Sequence, residues 1–223
     1  MRLHPEETEA GPWRHVDDAE LTGILASLLG EARGVLLVDG RSGSGKSTFA
    51  ERAARLLDGA VVHSDDLSWN HDAVAWDDLA LTHVVEPWRR GETVDFRPPA
   101  WAIHGRDGSV SVPAGWSRRS APERVLVLEG VGAGRASLAT HADAVVWVQS
   151  DRMEARERGI RRDIELGRTP EAAERFWDDW MGAEEPFLAA DRPWERAALV
   201  VATLEAERAP GRTTVAPGPA IRG

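Results

Sequence analysis

The chain has 223 residues, 42% of them hydrophobic, which suffices for one sizeable core and makes a single domain the default. Its formal net charge of -10 argues against nucleic acid and anionic membranes as partners, because both surfaces repel an acidic protein. With no cysteine there is no disulfide framework, no thiolate metal site and no cysteine nucleophile.

Residues 1–16 carry mixed charge without an apolar run, which fits neither a signal peptide nor a transit peptide. They are expected to be a flexible lead-in, and no apolar stretch is long enough to span a bilayer. The expected location is the cytoplasm. From Asp17 to Glu31, Leu21, Ile24, Leu25, Leu28 and Leu29 recur at helical spacing. Gly34 and the run Val35–Val38 then read as a buried strand, and a glycine-rich turn leads into a helix over Ser47–Leu57. Val61 and Val62 form a short strand ending at His63, Ser64, Asp65 and Asp66. A third strand, Val125–Leu128, ends at Glu129 and Gly130, and a fourth runs from Ala144 to Val148. Helices are expected over Ala155–Glu165 and Ala172–Ala189, and a last strand over Leu199–Ala202. Strands alternating with helices predict an α/β fold, a parallel sheet covered by helices on both faces.

The stretch of about Thr93–Pro122, rich in Pro, Gly, Ser and Trp, reads as an irregular β-containing insertion suited to a substrate flap. The domain is thus expected to cover 17–206, with the Pro/Gly-rich tail over 207–223 disordered.

Between first strand and helix lie Gly40, Arg41, Ser42, Gly43, Ser44, Gly45, Lys46 and Ser47, followed by Thr48, which satisfy G-x-x-x-x-G-K-[ST]. Glycines there let successive backbone N–H groups point inward around phosphate oxygens, and the helix N-terminus adds partial positive charge. Lys46 is expected at the β- and γ-phosphates of ATP and the Ser47 hydroxyl on Mg²⁺. Lys46 is also the single lysine of the chain. Where arginine has replaced lysine everywhere the two are interchangeable, the survivor marks a place where they are not.

A phosphate cradle does not say what becomes of the γ-phosphate; the other strand ends do. Asp65 or Asp66 can take the proton of a substrate hydroxyl, and Asp65 can also help hold the metal; otherwise one caps a helix and the other is solvated. Glu129 can face the metal or its water shell, or lie in a surface turn. Arg158 and Arg162, four apart on one helix, either close over the phosphates as a lid over about 152–168 or pair with Glu154, Glu157 and Glu165. Trp69, Trp101, Trp177 and Trp180 are stacking candidates, although the i, i+3 pair Trp177 and Trp180 reads first as core.

Taken in order, GRSGSGKST, SDDLSW, VLVLEGVGAG and ERGIRRDIELGR resemble the uridine kinase family and its pantothenate kinase and phosphoribulokinase relatives over about Gly34–Val201. The resemblance implies a P-loop NTPase three-layer sandwich of the nucleoside-monophosphate-kinase type. It also implies transfer of the ATP γ-phosphate to a hydroxyl, with Asp65 or Asp66 as base, Ser47 and Glu129 on the metal side, and Arg158 and Arg162 in the lid. Uridine kinases carry a Tyr-Asp pair in the flap; the corresponding Pro99–His104 has neither, while His104 and Arg106 match a His and an Arg there and are candidates to contact the acceptor. The acceptor is therefore either a nucleoside or another small hydroxylated molecule such as a vitamin, sugar or antibiotic. A nucleotide-dependent regulatory NTPase is the reading from another class, but no second lysine exists for the N/T-K-x-D signature of a GTPase switch. Homo-oligomerisation is left open.

Overall fold

A computed structural model describes residues 1–30, 33–72, 74–113, 125–203 and 211–221. The frame is a seven-stranded sheet built from β1 (Arg14–Val16), β2 (Gly34–Asp39), β3 (Ala60–His63), β6 (Val125–Glu129), β7 (Ala144–Gln149), β8 (Leu199–Ala202) and β9 (Thr213–Pro217), while β4 (Val94–Phe96) and β5 (Val110–Val112) form a separate antiparallel hairpin. Strand order is β1-β9-β8-β7-β2-β6-β3, parallel from β8 to β3 and antiparallel at β9 and β1.

Every residue of β2 is buried, and alternate side chains serve opposite layers. Val35 and Leu37 pack with Val62, Trp76, Trp88 and Leu138 on one face. Leu36 and Val38 pack with Leu21, Leu25, Phe49 and Ala53 on the other. The first layer holds α3 (Ser64–Ser68), α4 (Asp77–Ala80), a π-helical turn over Leu81–Val85, α5 (Glu86–Arg90), α6 (Pro99–Ile103) and α7 (Ala136–Ala139). The second holds α1 (Asp18–Leu28) and α2 (Lys46–Leu56). Asp17 starts α1 with a capping box: it accepts from Glu20 N–H, and the Glu20 carboxylate accepts from Asp17 N–H. Sheet and helices on both faces are thus as the sequence predicts.

Two terminal expectations are corrected. The segment 1–16 is not a loose lead-in: its strand pairs with β9, and buried Glu7 accepts from Trp147 Nε1–H at 2.7 Å and from Gln149 Nε2–H at 2.9 Å. Nor is the tail disordered throughout, since β9 aligns Thr214 with Ala202 and Val215 with Val201. Pro and Gly content hid a strand whose Val215 and Ala216, on opposite faces of the sheet, are both buried. Residues 114–124 and 204–210, which include the end of the expected flap and the domain's expected boundary, lie outside the described residues. Among the described residues no helix is long and apolar enough to cross a membrane.

The last two long helices, α8 (Arg152–Glu165) and α9 (Pro170–Asp191), pack against each other beside the carboxyl ends of the strands. Asp151 caps α8 through Met153 N–H at 2.9 Å and also accepts from Arg2 N–H at 2.8 Å. Burial pushes its carboxyl up, but the hydrogen bonds from Arg2, Met153 and Glu154 outweigh it and hold it well below the usual range. A depressed native pKa contributes stability above the ordinary value of 3.8 that is lost as pH falls through the native value. We expect Asp151→Ala to lower unfolding free energy by about 1 to 2 kcal/mol at neutral pH, the usual cost of an N-cap, and by less in acid; urea titrations at pH 7 and pH 3 measure it.

Candidate active site

The parallel strands deliver their functional residues to one edge. β2 lies between β6 and β7, and the chain leaves it first toward β3 and β6 and later toward β7 and β8, so β2 is the switch point of the sheet, where a crevice opens beyond the carboxyl ends. The glycine-rich turn sits there, between β2 and the N-terminus of α2.

Its shape depends on glycine at Gly43. The residue has φ +73°, and a Cβ there would come within 2.0 Å of the Ala155 carbonyl oxygen. The loop therefore lies flat against the first turn of α8, and Arg158 Nε–H clasps it by donating to the Gly43 carbonyl at 2.8 Å. From the other side the Thr203 hydroxyl donates to the Ser44 carbonyl at 2.5 Å. Under the loop, buried Asp39 accepts from the N–H groups of Gly40, Gly132 and Gly134 at 2.7, 2.9 and 2.8 Å. Burial pushes this carboxyl up to about 7 against the pull of those three donors and of Lys46. Asp39 thereby ties the cradle to the loop after β6.

Glu129, 3% exposed, ends β6 at the centre of a cluster. It accepts from the Ser47 hydroxyl at 3.0 Å, meets His63 Nδ1 at 2.6 Å and lies 3.9 Å from Lys46 Nζ. The strand register makes this inevitable, since His63 pairs directly with Glu129 across β3 and β6. Burial pushes the Glu129 carboxyl up, but the His63 hydrogen bond, the charges of Lys46 and His63, and the Ser47 hydroxyl bring it below its ordinary value. The same bond raises His63 against the opposing effect of its partial burial. Gly130 lets this strand end approach α3, for a Cβ on it would fall 1.7 Å from Ser64 Oγ.

The two aspartates after β3 part company. Asp65 faces a cavity of about 530 Å³ that also exposes Ser42, Lys46, Trp69, Arg162 and Trp180. Asp66 turns away and binds Arg106 Nη2 at 2.5 Å, while Trp101 Nε1–H donates to its carbonyl at 2.8 Å. The Arg106 guanidinium lies 3.7 Å over Trp101 and 5.4 Å over Trp69. Neither Arg106 nor His104 is among the cavity's lining residues; His104 stands edge-on to Trp69 at 6.0 Å.

The arginines also divide. Arg158 holds the cradle's backbone, whereas Arg162 faces the cavity and is held by Asp163 at 3.0 and 3.1 Å. Arg168 joins Arg162 there and lies 4.0 Å over Phe176. Trp177, expected first as core, is 7% exposed yet borders the same cavity, as does Trp180. Sequence reasoning missed His63, Asp39, Arg168 and Phe176. His63 could have been found from its place one residue beyond the apolar pair Val61–Val62, directly across from a strand-end carboxylate.

Serine hydroxyl and carboxylate oxygens are the hard donors Mg²⁺ accepts, and Ser47 and Glu129 already meet over the cradle. Among the described residues no three His, Asp or Glu side chains cluster as a metal cage. That donor set fits an ion carried mainly by phosphates and water rather than by a dedicated protein site.

The sheet order, the cradle at its switch point and the helical cover define a kinase-type P-loop NTPase fold. Known structures agree. One neighbour is a provisionally assigned fructose transport system kinase from Silicibacter sp. TM1040, 18% identical, with TM-score 0.55, covering 82% of this chain and 95% of its own. A possible uridine kinase from Bacillus stearothermophilus is 19% identical with TM-score 0.45, covering 82% and 96%. The protein YGR205w is 12% identical with TM-score 0.49, covering 89% and 95%. At these identities the likeness is one of fold, and the first neighbour carries it. No protein-family model and no curated protein sequence matches the chain.

Proposed function

We infer that the protein is an ATP- and Mg²⁺-dependent kinase that transfers the γ-phosphate to a hydroxyl of a small molecule. One observation carries this: Lys46 and Asp65 open into the same cavity, while Ser47 and Glu129 touch at its cradle end. A purely regulatory NTPase needs the cradle but has no use for a carboxylate facing an acceptor-sized space.

In this reading the backbone N–H groups of the turn and Lys46 hold the triphosphate, and Thr48 lies in the same first turn of α2. Bound Mg²⁺ on Ser47 and Glu129 would supply neutralisation of β- and γ-phosphate charge. Asp65 accepts the hydroxyl proton as that oxygen bonds to the γ-phosphorus and the bond to the ADP oxygen breaks. Asp66 holds Arg106 and so fixes the flap hairpin against α3. Arg162 and Arg168 face the space where charge accumulates, and Arg158 keeps the cradle in shape. Trp69, Phe176, Trp177 and Trp180 give the acceptor pocket flat apolar walls beside Asp65, which suits a ring-bearing alcohol, whether nucleoside or otherwise.

The test is ADP release from ATP and Mg²⁺ with a panel of nucleosides, pantothenate-like alcohols, sugars and hydroxylated antibiotics. We expect acceptor-dependent ADP formation that EDTA abolishes. Tight ATP binding with no acceptor-dependent turnover anywhere in the panel would favour the regulatory reading.

A further inference from the structure

Glu184 has no part in the roles above. It lies on α9 with 0% of its surface exposed, and two donors meet it. The Ser42 backbone N–H reaches both its oxygens, at 3.1 and 3.2 Å, and Trp180 Nε1–H donates to Oε2 at 2.8 Å. No arginine, lysine or histidine among the described residues pairs with it. The next residue, Glu185, takes three such partners: Arg152 at 2.9 Å, Arg41 at 3.3 Å and His4 at 3.6 Å. A fully buried carboxylate without a cation has to be held by neutral donors, and here both donors border the cavity.

Ser42 N–H belongs to the cradle. Ser42 lines the cavity beside Lys46 and Asp65, so the N–H that Glu184 takes belongs to a cradle residue at the end where a terminal phosphate would meet an acceptor. The Glu184 carboxylate therefore occupies a donor that a terminal phosphate oxygen would use, and two anions cannot share it cheaply. The second donor, Trp180, is part of the wall against which the acceptor would rest. A shift of that indole moves the hydrogen bond that keeps Glu184 in place.

We propose that Glu184 is a positioning residue that withholds the Ser42 N–H from the terminal phosphate until an acceptor seated against Trp180 draws the carboxylate away. The proposal rests on the kinase reading. Its consequence is that nucleotide alone engages the cradle incompletely, so the terminal phosphate is presented for transfer chiefly when an acceptor is there to receive it.

The experiment needs no identified acceptor. Binding of Mg²⁺ with an imido-bridged, non-hydrolysable ATP analogue, and separately with ADP, is measured by calorimetry on the wild type, Glu184→Gln and Trp180→Phe. Glu184→Gln keeps the size and removes the charge; we expect the ATP analogue to bind about tenfold more tightly, and ADP, which lacks the terminal phosphate, less than about threefold. Trp180→Phe keeps a ring but removes the N–H, and shifts the same preference in the same direction by less. Acceptor-independent ATP hydrolysis rises in both variants. Unchanged or weaker analogue binding in Glu184→Gln with a wild-type melting temperature overturns the proposal, as does an equal gain for ADP, which would mark a general charge effect. If Glu184→Gln fails to fold, the same criteria apply to Trp180→Phe. A wild type that binds neither nucleotide removes the kinase reading itself; tight binding with no preference in the variants removes only the role of Glu184.

Discussion

Lys46→Ala is expected to lower the phosphoryl-transfer rate at least about a thousandfold, about 4 kcal/mol of transition-state stabilisation. The charge of Lys46 enters the cavity from the cradle's own helix turn, 3.9 Å from Glu129, whereas Arg162 and Arg168 reach the same cavity from α8 and the turn that follows it. The fold should survive the change. Glu129 keeps the Ser47 hydroxyl and His63 as partners, so removing Lys46 does not strand a buried carboxylate. Lys46→Arg should fail as well, because a planar guanidinium cannot occupy the place of a compact ammonium on a shorter reach to the phosphates. Single-turnover assays with ATP and the best acceptor measure the loss, and melting temperatures check folding. Wild-type turnover in Lys46→Ala would remove Lys46 from the transferring machinery and with it the reading of Gly40–Ser47 as the catalytic cradle.

The single lysine is also where the sequence was most informative. A chain with arginine at 26 of its 27 basic positions retains lysine inside G-x-x-x-x-G-K-S, where motif, strand and helix coincide. The same clarity holds wherever a signal is local: apolar runs give β2, β6 and β7, and the helical spacing of Leu21, Ile24, Leu25 and Leu28 gives α1. What stayed hidden depends on pairings distant in sequence. β1 and β9 are short strands far apart in sequence: among the described residues β1 pairs only with β9, and β9 is seated between β1 and β8. Asp39 holds glycines more than ninety residues away. The contacts of Glu184 with Ser42 and of Arg106 with Asp66 likewise join segments that no periodicity links. Trp177 shows why burial and function were hard to separate: an indole packed against Gly159 of α8 also forms a wall of the cavity, so both readings of that residue hold.

The choice between Asp65 and Asp66, open in the sequence, becomes a paired experiment. Asp65→Asn should reduce kcat by about a hundredfold to ten-thousandfold, the usual worth of a positioned general base, with the KM for ATP nearly unchanged. An asparagine fills the same volume and still lines the cavity, but it cannot take a proton. Asp66→Asn should act differently. Its carboxylate faces Arg106, and that guanidinium lies over Trp101 and near Trp69. Weakening the pair loosens the flap hairpin against α3, which should raise the KM for the acceptor several-fold while kcat changes little, because no proton passes through Asp66. Since both side chains of the pair are about one-third exposed, the loss in folding stability should be under about 1 kcal/mol. Arg106→Ala should reproduce the Asp66→Asn pattern, and the double variant should be no worse than either single one, as expected of two groups acting through one contact. A large loss of kcat in Asp66→Asn with an active Asp65→Asn would reverse the assignment and require the α3 turn to rotate on substrate binding. Full activity in both would mean that the hydroxyl proton leaves without help from either carboxylate.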